Sequence, residues 1–280
     1  MLILSLIIAL LVYSKADEVK ALVVTSFTDI GRSKWASDHS QWTRSTETYI
    51  SYFKPMLKLP FDVVCYITRD IIPLIKKLTT VEKIYEYNKN LTYFNHTYAK
   101  KIKAIMNSNE YKALVHHRKN PENSVPRYTM VTNSKPCILK EAAAATLGLY
   151  THYIWIDFGY FRDPPKSFPS GKVNTQAFND GKIHVTVFKD IRPVDTTDTY
   201  ITNLVALAGA EIVQGGFYTI PAELVDWFEA AWRGVLDRML ALNLIDDDQT
   251  VAEILITENR DKFVLHINKQ WFNDFQAWLV

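Results

Sequence analysis

Cysteine is scarce in this chain: two residues, Cys65 and Cys137, in 280. They leave room for one disulfide bridge at most in an oxidising lumen, and two buried free thiols suit the same positions. Excess charge is missing too. Lys and Arg number 32 against 30 Asp and Glu, a formal net charge of +2. That balance removes the strong field expected of a nucleic-acid binder or an anionic-membrane binder. No internal repeat or low-complexity stretch occurs, which excludes a solenoid or a linker-like chain. No G-x-G-x-x-G and no Walker sequence is present, so the common glycine-rich phosphate cradles are absent. No His-rich or paired-carboxylate motif occurs, which weakens a metal-dependent hydrolase.

Long apolar runs are also lacking, with one exception. Leu2 to Val12 in "MLILSLIIALLVYSKA" is apolar, and Ser14 and Ala16 stand at signal-peptidase offsets. The run is shorter than the about 20 residues of a comfortable bilayer span. We read residues 1–16 as a signal peptide, with a short signal-anchor or a buried first element as alternatives, and 17–280 as a single domain. Sequons at Asn90 ("NLT") and Asn95 ("NHT") agree with a secretory route. The expected location is the secretory lumen (ER or Golgi) or outside the cell. The mature chain is expected to have no further membrane span.

What is present is 48% hydrophobic residues and 13% aromatics, enough for a sizeable core. "VKALVVTSF" (Val19 to Phe27), "FDVVCYIT" and "HYIWIDF" read as buried strands, and "VEKIYEY" as a further one. "KIHVTVF" alternates like a half-exposed strand, and "GAEIVQGGFYTI" reads as strand, Gly-Gly turn, strand. Helices are predicted for Tyr98 to His117, for Ser134 to Tyr150 with Ser134 as its cap, and after Pro221. "RKNPENSVPRY" reads as a polar loop. Strands alternating with helices imply an α/β sheet covered on both faces, with antiparallel additions. Ligands of such sheets bind outside the carboxyl ends of the strands. There the exits "TDIGR", "RD" and "DFGYFRD" should converge.

Several stretches carry chemistry. Thr25, Ser26, Asp29, Gly31 and Arg32 follow a buried strand and could hold a ribose, base or phosphate, or form a solvated loop. Asp157 ends the "IWID" strand, where it could reach a metal or a ribose or cap a turn, and Gly159 permits close backbone approach. "IDDDQ" places three acids before a helix. Capping and the helix dipole account for one or two of them, which leaves Asp247 or Asp248 as a general base beside Gln249. His266 sits in an apolar strand as a core residue or a metal ligand. Gly215 and Gly216 precede Phe217, an arrangement suited to a hairpin turn or an acceptor-sugar surface.

Together "VVTSFTDIGRSKW", "PENSVPRYTMVTNSKPCIL", "YIWIDFGYFRD" and "EIVQGGFYTIP" resemble the HtrL/YibB-type proteins, over nearly all of the mature chain. These are associated with bacterial lipopolysaccharide-core gene clusters and related to the GT-A glycosyltransferase superfamily. The resemblance implies a GT-A-like (Rossmann-like) mixed, mainly parallel sheet flanked by helices on both faces. It implies a nucleotide-diphosphate sugar as donor and a hydroxyl of a glycan or glycoconjugate as acceptor. Carried over, it places the nucleotide near Thr25, Phe27, Asp29, Gly31 and Arg32, supplemented by Lys135 and Gly159. It gives a divalent cation (Mn²⁺ or Mg²⁺) to Asp157 and His266 and catalysis to Asp247 or Asp248 followed by Gln249, while the residues themselves suggest the acceptor at Gly215, Gly216 and Phe217. The D-x-D word usual in that superfamily is here Asp157-Phe158-Gly159, with its second carboxylate missing. Lys135, Arg32 and Arg162 are the cations available to supplement a metal at the leaving diphosphate. A catalytically inactive sugar- or nucleotide-binding protein is the alternative function.

Overall fold

The protein is described by a computed structural model covering residues 19–35, 42–78, 84–86, 96–162, 174, 179–207 and 212–272. Residues 1–16, read above as a signal peptide, the sequon asparagines Asn90 and Asn95 and the "DPPKSFPSGK" stretch lie outside these residues.

Seven strands form one sheet: β1 (Ala21–Phe27), β2 (Asp62–Ile67), β3 (Ile84–Glu86), β4 (His152–Ile156), β5 (Ile183–Val187), β6 (Val213–Pro221) and β7 (Phe263–Ile267). Their order is β3-β2-β1-β4-β6-β5-β7. Only β6 runs antiparallel to its neighbours β4 and β5; the other pairings are parallel. The sheet is therefore mixed and mainly parallel, as the resemblance implied.

The described helices are α1 (Thr46–Phe53), α2 (Ile72–Lys76), α3 (His96–Asn107), α4 (Asn109–Leu114), α5 (Pro121–Ser124), α6 (Pro126–Thr132), α7 (Lys135–Ala145), α8 (Asp198–Ala206), α9 (Val225–Ala241) and α10 (Asp248–Glu258). Strand periodicity divides the core in two. Leu22 and Val24 of β1 point to one face with Ile138 and Leu139 of α7 and Trp232 of α9. Ala21 and Val23 point to the other with Phe53 of α1 and Ile75 of α2. Both faces are thus covered, and none of the described helices is long and apolar enough to cross a membrane. Cys65 belongs to the second cluster and Cys137 packs against the first, so the sheet separates them and both are free thiols.

Four local expectations are corrected. The helix expected over 98–117 breaks at Ser108, whose extended backbone and Oγ, accepting from the Tyr111 N–H at 3.1 Å, start α4 anew. "NPENSVPRY" is helical rather than loop, because Pro121 and Pro126 each occupy a first turn, where the missing N–H costs nothing. Ser134 stands at the N-cap of α7 but makes no side-chain capping bond; its hydroxyl donates to the Met130 carbonyl instead, at 2.6 Å. β5 is buried at all five positions, since it lies between β6 and β7.

The Gly-Gly turn is also absent: β6 continues through Gly215 and Gly216, where its register against β5 slips between the Val185–Tyr218 and Val187–Val213 pairings. A Cβ on Gly215 would lie 2.2 Å from Asp248 Oδ2, and one on Gly216 would lie 3.2 Å from the Tyr160 ring. The glycines give side chains from other elements room against the strand.

Candidate active site

The parallel strands β1 and β4 lie side by side, so their carboxyl ends share one edge. Two cavities open there. The first is a cleft of about 810 Å³ bounded by the β1 exit, α1, α6 and Asp157; the second, of about 1020 Å³, continues past Asp157 to Gly215, Gly216 and the start of α10. Lys135, Asp157, Tyr128 and Thr132 wall both, as do Arg32, Arg44 and Arg162.

The β1 exit folds through Asp29, whose Oδ1 accepts from the Gly31 N–H at 2.7 Å. Gly31 has φ 81°, a left-handed conformation natural to glycine, which turns the chain into the short 3₁₀ turn Arg32–Lys34. Arg32 donates to the Trp42 carbonyl at 3.1 Å and to the Tyr49 hydroxyl, with its guanidinium 4.9 Å from the Trp35 ring. Phe27, Asp29 and Arg32 line the first cavity. Gly31 contributes the turn that presents them. Thr25 is fully buried inside β1 and lines neither cavity, whereas its neighbour Ser26 does.

Asp157 follows β4, and its N–H donates to the Gly216 carbonyl at 3.0 Å. Its Oδ1 accepts from Trp155 Nε1 at 2.7 Å and pairs with Lys135 Nζ at 2.9 Å. Lys135, only 5% exposed, reaches from the first turn of α7. The same ammonium contacts Asp248 Oδ2 at 2.6 Å and the Gly215 carbonyl at 2.7 Å. Burial works to lower the lysine pKa, but Asp157 and Asp248 outweigh it and hold it above its ordinary value. Burial pushes Asp248 up and Asp157 adds to this; Lys135 opposes them, leaving its pKa at about 6.

The three acids of "DDD" divide their work. Asp246 accepts from the Asp247 N–H at 2.9 Å and the Thr250 hydroxyl at 2.8 Å. Asp247 is the N-cap of α10, accepting from the Gln249 N–H at 3.0 Å. Asp248 alone joins Lys135. Gln249 donates through Nε2 to the Val213 carbonyl at 2.7 Å. Asp247, Asp248 and Gln249 all line the second cavity, with Gly215 and Gly216. Phe217 does not: it is buried in the second core cluster, 6.0 Å from the Tyr160 ring.

The structure does not gather the expected metal ligands. β7 lies three strand positions from β4, roughly 14 Å at the usual strand spacing. His266 Nε2 there lies 3.0 Å from His184 Nδ1, and His184 Nε2 lies 2.9 Å from Asp180 Oδ1. Burial lowers the pKa of both imidazoles. Gly159 offers no carboxylate, and a Cβ there would lie 2.8 Å from the Tyr49 ring. Asp157 and Asp248 already share an ammonium. These residues do not fit a divalent-cation site, and among the described residues no group of three His, Cys, Asp or Glu is placed to hold one.

Sequence reasoning missed Arg44 and Tyr128. Arg44 stands one residue before the Ser45 cap of α1, and Tyr128 sits in the segment read as a loop.

The model of a family described as "Bacterial protein of unknown function (HtrL_YibB)" matches residues 19–279. Protein HtrL of Escherichia coli (strain K12) is 27% identical over 276 residues, 91% of each chain. Two solved structures are similar at low identity. One is a glycosyltransferase involved in glycosylation of the major capsid of PBCV-1: 10% identical, TM-score 0.37, covering 89% of this chain and 81% of that one. The other is mouse xyloside xylosyltransferase 1 in its apo form: 9% identical, TM-score 0.41, covering 89% and 85%.

Proposed function

The chain belongs to the HtrL_YibB family, and from its site we propose that it is a glycosyltransferase, moving a sugar from a nucleotide-diphosphate donor to a hydroxyl of a glycan or glycoconjugate. One observation carries the reading: two cavities meet at an Asp157–Lys135–Asp248 junction, with Lys135 and Asp248 buried, on the carboxyl edge of the sheet. Transfer between two substrates needs two adjoining pockets with the reacting atoms at their boundary. The donor lies in the first cavity, beside Phe27, Asp29 and Arg32. The acceptor lies in the second, beside Gly215, Gly216 and the start of α10.

In the reaction the acceptor oxygen bonds to the anomeric carbon, and the bond from that carbon to the diphosphate breaks. The bonding pair leaves with the diphosphate, and the hydroxyl proton passes to a carboxylate. Asp248 is our candidate base: it is 3% exposed, lines the acceptor cavity, and has a pKa raised to about 6, near the range where a base works at neutral pH. Lys135 holds Asp248 and Asp157 in register across the junction. The apolar leader and the two sequons support action in the secretory lumen.

A nucleotide- or sugar-binding protein without catalysis is the second reading, favoured by the closed Gly159 position. Turnover separates the two. Purified protein is incubated with UDP-, GDP- and CMP-sugars together with glycan acceptors, and free nucleotide is measured. Release from one donor that falls at least about a hundredfold in Asp248→Asn is expected of the transferase. Binding of a nucleotide without release from any donor would leave the binding protein.

A further inference from the structure

The first cavity holds an unusual charge arrangement. Arg32, Arg44, Lys135 and Arg162 line it, against two carboxylates, Asp29 and Asp157. Both carboxylates are engaged, Asp29 by the Gly31 N–H and Asp157 by Lys135 and Trp155. The three arginines have no ionic partner of that kind: among the described residues no ion pair joins Arg32, Arg44 or Arg162 to a carboxylate. Arg32 meets a carbonyl and a tyrosine hydroxyl, and Arg162 donates to the Gly159 carbonyl at 3.1 Å and stacks 4.4 Å from the Phe272 ring. Nη1 of Arg44 is buried with no hydrogen-bond partner among those residues. Burial depresses the Arg162 pKa, and the charges of Arg44 and Arg32 add to that, against Tyr49 and Asp157.

Three like charges with no carboxylate paired to them among the described residues cost stability in the free protein. A buried guanidinium nitrogen left open costs more. An anion in the cavity removes both costs. Guanidinium forks match phosphate oxygens in geometry, and each such bond is charge-assisted. Lys135 already pairs with Asp157 and Asp248, so the three arginines are left to face the two negative charges of a nucleotide-diphosphate sugar. Meanwhile the metal position has no second carboxylate, and Lys135 already neutralises the first.

We infer that Arg32, Arg44 and Arg162 form a guanidinium clamp that binds the donor's diphosphate without a divalent cation. The inference rests on the transferase reading and adds to it how the leaving charge is stabilised. Positive charge fixed at the departing oxygens serves the role otherwise given to a metal.

The test is equilibrium titration of the full mature chain with UDP and GDP, in EDTA and in Mn²⁺, with inorganic pyrophosphate as competitor. One nucleotide should bind in EDTA with an affinity within about threefold of that in Mn²⁺, and pyrophosphate should displace it. Arg44→Met and Arg162→Met should each weaken it by about tenfold or more. The same variants should match or exceed the wild type in thermal midpoint without ligand, because like-charge repulsion is relieved; a merely structural arginine would lower it. Nucleotide binding that requires Mn²⁺ overturns the clamp and leaves the transferase reading standing. Unchanged affinity in both variants also overturns the clamp. No binding under either condition overturns clamp and reading together.

Discussion

Replacing Lys135 with methionine keeps most of the stem's volume and removes the charge. Asp157 Oδ1, Asp248 Oδ2 and the Gly215 carbonyl then lose the ammonium that lies 2.9, 2.6 and 2.7 Å from them. Removing one partner of a buried ion pair costs about 3–5 kcal/mol, because a charge is left uncompensated. Asp248 bears most of that cost, since its side chain is almost fully buried, whereas the side chain of Asp157 is 38% exposed and partly screened by water. The cost depends on pH. Asp248 already titrates near 6 in the folded protein, above the ordinary carboxylate value. Between those two values the folded state binds the extra proton, so this group's contribution to stability falls as pH rises, by up to about 1.4 kcal/mol per unit. Without Lys135 the upper end of that window moves higher still. Urea unfolding of Lys135→Met should therefore show a larger deficit at pH 8 than at pH 5, and adding Asp248→Asn should recover much of it. A deficit below about 1 kcal/mol that is flat with pH, or no recovery in the double variant, would refute the buried junction.

Three further outcomes follow from the geometry. Gly215→Ala should cost about 1–3 kcal/mol in urea unfolding and more than Gly216→Ala, because its Cβ meets Asp248 at 2.2 Å while that of Gly216 meets Tyr160 at 3.2 Å; equal costs would contradict the contact. Glu253, 6% exposed in α10, has its pKa raised to about 7 by burial, against Lys189 and Tyr200. The folded state gains a proton there and loses stability as pH rises from about 4.5 to 7, so Glu253→Gln should be more stable than wild type at pH 8, by on the order of 2–3 kcal/mol, with little difference at pH 4. Thiol titration in denaturant without reductant should count two free cysteines per chain, because Cys65 and Cys137 lie on opposite faces of the sheet; zero thiols would contradict the placement.

The fold was legible where periodicity and burial coincide. β1, β2 and β4 carry near-continuous apolar runs because parallel strands are buried on both faces, and α9 has a clear amphipathic stripe. The misreadings share a cause: a local pattern with two physical explanations, decided by a distant partner. Gly215 and Gly216 suit a turn equally well, and only the side chains of Asp248 and Tyr160 against them show why they are in a strand. The site divided similarly. Asp157 and Asp248 were readable from a strand exit and from an acid run longer than capping needs. That one lysine, 113 residues before Asp248 and at a helix start, joins them was not. His266 misled because a polar residue in an apolar strand signals burial with a partner, and the partner is His184.

The most direct measurement of the central claim is the thermal midpoint of the purified mature chain with UDP, GDP and CMP added in turn. A ligand at a hundred times its dissociation constant stabilises the folded state by about 2.7 kcal/mol, a rise of roughly 5–10 °C for a domain of this size. One diphosphate nucleotide is expected to raise the midpoint by such an amount in wild type and by about half as much or less in Arg44→Met. A midpoint that stays flat with every nucleotide, at millimolar concentration and with or without Mn²⁺, would contradict the transferase reading.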